Sequence, residues 1–156
     1  MVRIEIPEME HLEIEHLVLD YNGTIAINGI IIEGVMEKLE KLSVLLDIHV
    51  LTADTYGSVH EQCDGCNVSV HVIGKYQQDR EKLIFIESLK PQHCITIGNG
   101  KNDALMLSAA ALGIALIQEE GINTKTLLAS DILFHSINDA LDSLLNPQRL
   151  IATMRN

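Results

Sequence analysis

The sequence predicts an α/β fold: a central, mostly parallel sheet covered by helices on both faces, in three Rossmann-like layers. Three observations lead there. Short apolar runs bounded by turn residues alternate with segments of helical spacing along the chain. Apolar residues make up 47% of the chain, yet there are only two Phe, three Tyr and no Trp. The core must therefore be Ile, Leu, Val and Ala, the residues of strands buried on both faces. Polar side chains capable of chemistry stand directly behind the apolar runs, at the strand ends where open parallel sheets bind ligands.

The elements follow in order. Residues 2–6 alternate apolar and charged side chains and predict an edge strand. Residues 16–20 read as a central strand through Leu17, Val18 and Leu19, ending at Asp20. Residues 24–32 carry Ile25, Ile27, Ile30, Ile31 and Ile32 around Asn28-Gly29, a strong hairpin signal. Residues 33–46 space Val35, Leu39, Leu42 and Leu46 on one helical face. A strand at 48–52 precedes a short helix from Thr55 to about Cys63, capped by Asp54 or Thr55. A strand at 68–73 leads to a helix over 79–89, stopped by Pro91. The strand 94–97 ends at Gly98-Asn99-Gly100, and a helix over 102–110 carries Leu105-Met106-Leu107 as core. A strand at 112–117, a helix at 124–129, a short strand at 132–134 and a helix at 137–145 complete the pattern, with Pro147 breaking off an amphipathic tail. Right-handed crossovers then gather the strand C-termini on one edge. With 156 residues and no repeat or linker, the expectation is a single domain spanning 1–156.

Charge narrows the function. The net charge of −11 argues against extended nucleic-acid binding and against adhesion to anionic membranes. No run of 18 apolar residues appears, and the start Met1-Val2-Arg3-Ile4-Glu5 lacks a signal-peptide layout, so a cytoplasmic protein is expected. The odd set Cys63, Cys66 and Cys94 argues against a disulfide scaffold. Cys63-Asp64-Gly65-Cys66, flanked by His60 and His71, is a candidate metal or redox site; small, part-buried thiols with surface histidines are the preferred reading.

Three strand ends carry the functional signal. Asp20-Tyr21-Asn22-Gly23-Thr24 places a carboxylate, a turn glycine and a hydroxyl after one strand. Thr52, followed by Ala53, ends the next. Gly98-Asn99-Gly100-Lys101-Asn102-Asp103 follows a third. An aspartate so placed can act as nucleophile, metal ligand or both. Asp54 reads as a helix cap rather than a catalytic group, and Lys101 as an exposed lysine.

In this order the three segments resemble the haloacid dehalogenase superfamily of aspartyl-phosphate phosphohydrolases, over about residues 15–155. The first motif of that family is D-x-D-G-T, or D-K-T-G-T in P-type ATPases. The second is a strand-end Ser or Thr, the third a helix Lys, the fourth G-D-G-x-N-D. The chain is most similar to the small soluble P-type ATPase-like phosphatases, which combine D-x-N-G-T with G-N-G-x-N-D. The resemblance implies that Asp20 accepts a phosphoryl group and that Thr52 and a lysine hold its oxygens; Lys82 fits best, with Arg80 and Lys75 as rivals. It implies Mg²⁺ as cofactor, held by Asp20, the Asn22 main-chain carbonyl and Asn99, with Asp103 on Lys82 or a metal-bound water. Gly23, Thr24, Ala53 and Asn102 would bind the phosphorylated substrate through donors around the turn. Asn22 stands where phosphatases of the superfamily have their general acid/base, whose loss typically slows a reaction by ~10²–10⁴. Asn99 replaces a metal-binding carboxylate. The resemblance therefore implies slow turnover, or a catalytically weak module that binds or regulates through its phosphate pocket. Between the motifs there is room for a β-hairpin flap but for no cap domain and no nucleotide-binding domain. An open site of this kind suits a macromolecular phosphoester or covering by a second subunit, and the Ile-rich hairpin is a candidate oligomer contact.

Overall fold

The structure, a computed structural model, describes residues 1–7, 11–54 and 58–155. The strands are β1 (Val2–Ile4), β2 (Leu12–Ile14), β3 (His16–Asp20), β4 (Ala26–Ile27), β5 (Ile30–Ile31), β6 (Asp47–Thr52), β7 (Ser69–Val72), β8 (Cys94–Gly98), β9 (Leu112–Leu116) and β10 (Ile132–Phe134). The α-helices are α1 (Val35–Ser43), α2 (Ser58–Cys63), α3 (Gln78–Ser88), α4 (Ala104–Ala109), α5 (Thr124–Ala129), α6 (Ile137–Leu145) and α7 (Gln148–Met154). The central sheet has six strands in the order β10-β9-β8-β3-β6-β7, and every pairing is parallel.

The strand carrying Asp20 is thus central. Its neighbours are β6, in register Leu19↔Val50, and β8, in register Leu19↔Ile97. β8 and β9 are buried along their whole length; β9 is apolar throughout, and the one polar side chain of β8, Thr96, donates to the Met106 carbonyl at 3.3 Å. Side chains alternate across the sheet. Leu17, Leu19, Val50, Ile95, Ile97 and Ile114 pack with α1 and α6 through Leu39, Leu42, Ile137 and Leu141. Val18, Leu51, Cys94 and Ala115 face Ile86, Met106 and Leu107 of α3 and α4. Asp20 is in phase with Val18, which turns its carboxylate toward α3 and α4.

Two sequence expectations change in detail. Residues 2–6 do not edge the central sheet: β1 pairs antiparallel with β2 in a separate two-stranded sheet, Val2↔Ile14 to Ile4↔Leu12. Ile4, Ile6 and Ile14 are buried there, so the hairpin sets its apolar side on the core instead of extending the sheet. The helix expected from residue 102 begins as a 3₁₀ turn over Lys101–Asp103 and becomes α-helical at Ala104. The Asn28-Gly29 hairpin forms as expected, with φ of 52° and 76° at its two turn residues. Thr55, named as an alternative cap for α2, lies outside the described residues.

Candidate functional site

The C-terminal ends of β3, β6 and β8 frame a pocket of ≈ 170 Å³ lined by Asp20, Asn22, Thr52, Ala53, Asn99 and Asn102, together with Tyr21, Gln78, Gly100 and Glu120. Its floor is ionic. Lys82 Nζ donates to Asp20 Oδ1 and to Asp103 Oδ1, each at 2.6 Å. Both Lys82 and Asp103 are fully buried. Asp103 Oδ2 accepts the backbone N–H groups of Asn99 (2.9 Å) and Gly100 (2.8 Å), so this carboxylate fixes the lysine and the loop after β8 at once. A carboxylate with several donors and a buried cation is the arrangement that compensates burial of charge.

The three candidate cations lie in different places, and among them Lys82 reaches Asp20. Lys82 and Ile86 are one turn apart on the buried stripe of α3. Arg80 and Ile84 share another face; Arg80 borders a shallow cavity with Leu83, Ile84 and Leu105. Lys75 lines a larger cavity of ≈ 470 Å³ with Gln77, Gln78, Asp79, Lys101 and Asn102. That cavity shares Gln78 and Asn102 with the smaller pocket and adjoins it.

The Asp20 carboxyl is pushed up to about 7: burial and the negative charge of Asp103 outweigh the Lys82 cation and its hydrogen bond. For Lys82, burial acts to lower the ammonium, but the charges of Asp20 and Asp103 prevail and hold it above its ordinary value.

Thr24 is buried, with its hydroxyl 3.4 Å from both Asp20 Oδ2 and Asn99 Oδ1. The Thr52 hydroxyl accepts the backbone N–H of Asp54 at 3.0 Å. The Asn102 amide donates to Gln78 Oε1 at 2.7 Å. Gly23 adopts φ 80°, and a Cβ there would lie 2.6 Å from Asn99 Nδ2 and 2.8 Å from Glu120 Oε2. Only glycine serves this turn.

Sequence reasoning missed the loop after β9. Gln118 Nε2 donates to the carbonyls of Gly23 and Thr24, each at 2.7 Å, while its Oε1 accepts the N–H of Ile137 at 2.9 Å. Gln78 and Glu120 were missed as well. Nothing periodic marks these positions: Gln78 opens α3, and only the β8–β9 adjacency brings the loop of Gln118 and Glu120 over the first motif.

The cysteine grouping does not converge with the histidines. Cys63, Cys66 and Cys94 are free thiols. His71 instead pairs with His49 at 3.1 Å, and His49 with His16 at 3.3 Å, in a row across β7, β6 and β3 beside Phe85. Among the described residues no group of three or more His, Cys, Asp or Glu is arranged to hold a metal ion.

No family model matches the chain. It is 49% identical over 87 residues to the uncharacterized protein MJ0073 of Methanocaldococcus jannaschii, a match covering 53% of this chain and 94% of that one. It is 34% identical over 86 residues to a Staphylococcus aureus protein named "Probable cadmium-transporting ATPase", covering 54% of this chain but only 11% of the ATPase. Among solved structures, the "putative HAD superfamily (subfamily III A) hydrolase" of Legionella pneumophila superposes with TM-score 0.71 at 15% identity, covering 92% of this chain and 90% of that one. The 3-deoxy-D-manno-octulosonate 8-phosphate phosphatase of Moraxella catarrhalis, solved with magnesium ion, phosphate ion and KDO, superposes with TM-score 0.69 at 16% identity, covering 90% and 92%. The chain has a capless haloacid dehalogenase fold. Within that fold, 30 to 31 and 26 to 27 form the flap that follows the first motif. Its Ile25 and Ala26 are buried, while Ile30 is exposed at the tip. Among the described residues no helix is long and apolar enough to cross a membrane.

Proposed function

We propose that the chain is a phosphohydrolase or phosphotransferase of haloacid dehalogenase type in which Asp20 takes the phosphoryl group, and that its turnover is slow. The observation that carries this reading is Lys82, held 2.6 Å from both Asp20 and Asp103 at the base of a pocket edged by Thr52 and Asn102. Phosphoryl transfer asks for an in-line nucleophile and for charge on the equatorial oxygens to be neutralised. Asp20 supplies the first. The Lys82 ammonium, the Thr52 hydroxyl and the Asn102 amide supply donors for the second.

The donors around Asp20 fit a hard divalent cation. Asp20 Oδ2, the Asn22 main-chain carbonyl and Asn99 Oδ1 are all oxygens, the ligand type Mg²⁺ takes. When bound, Mg²⁺ would neutralise phosphoryl charge and help align the phosphoester. The magnesium and phosphate in the Moraxella catarrhalis phosphatase of the same fold support this reading.

In the reaction proposed, an Asp20 carboxylate oxygen forms the new P–O bond and the ester P–O bond breaks. Asn22 has no proton of suitable acidity to give, so the departing oxygen takes one from solvent. Water then attacks the acyl phosphate, releasing phosphate and restoring Asp20. Asn22 gives that water no base either, which slows both halves. The ≈ 470 Å³ cavity that shares Gln78 and Asn102 with the Asp20 pocket gives the leaving group space next to that pocket. With no cap over the site, a large phosphoester or a site closed by a second copy is the substrate arrangement we favour, with exposed Ile30 as a contact point.

The test is hydrolysis of p-nitrophenyl phosphate with Mg²⁺, whose leaving group needs little protonation. Wild type is expected to exceed Asp20→Asn by more than a hundredfold; equal rates would sink the proposal. The two asparagines also favour a second reading, a module that binds through the phosphate pocket with little turnover. Asn22→Asp separates the two: a large rate gain marks a damped catalyst, and no gain with retained phosphate binding marks a binding module.

A further inference from the structure

Asn99 does something in this structure that an aspartate at the same place would not. Its Nδ2 donates to the Gly121 carbonyl at 3.0 Å; its main-chain carbonyl, as any residue's there could, accepts the N–H of Asn123 at 2.9 Å. A carboxylate has no proton to donate and would face the Gly121 oxygen repulsively. Asn99 therefore ties the loop after β9 down over the first motif. That loop turns tightly, with Gly121 N–H donating to Gln118 O at 2.8 Å, and Gln118 clamps it to Gly23 and Thr24. The residue presented by the turn is Glu120, which lines the pocket together with Asp20, Asn22 and Asn99. Asn99 Oδ1 lies 2.7 Å and Glu120 Oε2 2.8 Å from the same point above Gly23, so the two oxygens are within 5.5 Å of each other.

We propose that Glu120 supplies the carboxylate that Asn99 lacks, completing the divalent-cation site either directly or through one metal-bound water. The inference rests on the function proposed above. Charge supports it: with Asp20 ionised, Asp20, Asp103 and Lys82 sum to −1, and Glu120 brings the site to −2, the balance an aspartate at 99 would otherwise provide. Reach supports it too, because Mg²⁺ retains several waters and is commonly gripped by outer carboxylates through them. Gly23 has no Cβ, and that gap is what admits the Asn99 and Glu120 side chains to one place. Asn99 acts as a positioning residue for this loop as well as offering an oxygen of its own.

The experiment is Mn²⁺ and Mg²⁺ titration by calorimetry, with Mn²⁺ electron paramagnetic resonance as a second readout, without substrate and at constant pH. Glu120→Gln is expected to weaken Mn²⁺ binding by 10–100-fold, the range for losing a supporting carboxylate. Glu119→Gln, at the adjacent exposed glutamate outside the pocket lining, is the control and should bind as wild type does. Asn99→Asp combined with Glu120→Gln should bind more tightly than Glu120→Gln alone, since it returns the charge. Binding by Glu120→Gln within twofold of wild type overturns the Glu120 assignment and leaves the proposed function standing. A wild type that binds neither cation overturns the metal-dependent function together with it.

Discussion

Replacing Lys82 by Met keeps the length and volume of the side chain and deletes its charge. Asp20 Oδ1 and Asp103 Oδ1 both lie 2.6 Å from Lys82 Nζ, so the two carboxylate oxygens are no more than 5.2 Å apart. Without the ammonium they face each other across a buried gap. At an effective dielectric of about 20, two charges ~5 Å apart repel by roughly 3 kcal/mol. Removing one partner from a buried pair typically costs ~3–5 kcal/mol. Both routes point to a loss of roughly 3–5 kcal/mol at pH 8.5, measurable by urea unfolding. Asp20 already holds its proton up to about pH 7, and losing the Lys82 cation raises that further. The folded state of the variant therefore gains a proton that the unfolded chain, with its carboxylate near 3.8, does not. Its deficit relative to wild type should shrink as pH falls from 8.5 to 7, where the variant alone takes up that proton, and level off below 7, where wild-type Asp20 is protonated too. Lys82→Met combined with Asp20→Asn should recover much of the loss at pH 8.5. A deficit below about 1 kcal/mol at pH 8.5, or one equal at both pH values, would refute the account of Lys82 as the keystone of the site.

Four further outcomes are expected. Mn²⁺ binding should tighten as pH rises through about 7, because burial and Asp103 push the Asp20 carboxyl up to about 7 and the cation must displace that proton; an affinity that is flat from pH 5.5 to 8.5 contradicts this. Gly23→Ala should lower stability by ~1–3 kcal/mol and weaken Mn²⁺ binding, since its Cβ meets Asn99 and Glu120 atoms at 2.6–2.8 Å in a backbone at φ 80°; an unchanged urea midpoint and cation affinity would count against the close approach. Gly113→Ala puts a Cβ 2.4 Å from the Leu107 carbonyl and should cost ~1–3 kcal/mol by prying α4 off β9, read from chemical denaturation. Burial, then the neighbouring His71 and His16, lower His49 to about 4 from its usual 6.5, so the stability it gives is full above pH 6.5 and is lost as pH falls toward 4. His49→Gln should flatten that acid limb, and an unaltered pH profile of the unfolding midpoint would remove the histidine row from the account.

The parts legible in the sequence were those written in local patterns. Leu17-Val18-Leu19 before Asp20, and Ile95-Thr96-Ile97 before Gly98, announce buried strands whose ends must lie at one edge. Asn28-Gly29 announces its turn because both residues tolerate positive φ. What stayed hidden depends on rotation or on distant pairing. Lys82 was hard to separate from Arg80 because α3 spreads its apolar residues around the helix, with Ile86 buried and Ile84 62% exposed; the phase is set by contact with β3 and α4, not by periodicity. β2 is three residues long with Glu13 at its middle, too short for alternation to show. Gln118 and Glu120 sit in an unpatterned loop whose neighbour is nearly a hundred residues away in sequence.

That separation has a consequence for how the molecule is made. The carbonyls of Gly23 and Thr24 wait for a donor 95 and 94 residues downstream, and the same side chain must also meet the first N–H of α6. During synthesis the Asp20 strand emerges early, but its loop has no clamp until Gln118 and Ile137 have both been added and β9 has docked on β8. Contacts of such long range form late because chain closure must precede them. Assembly order itself thus keeps Asp20 without its finished surroundings until most of the sheet is in place.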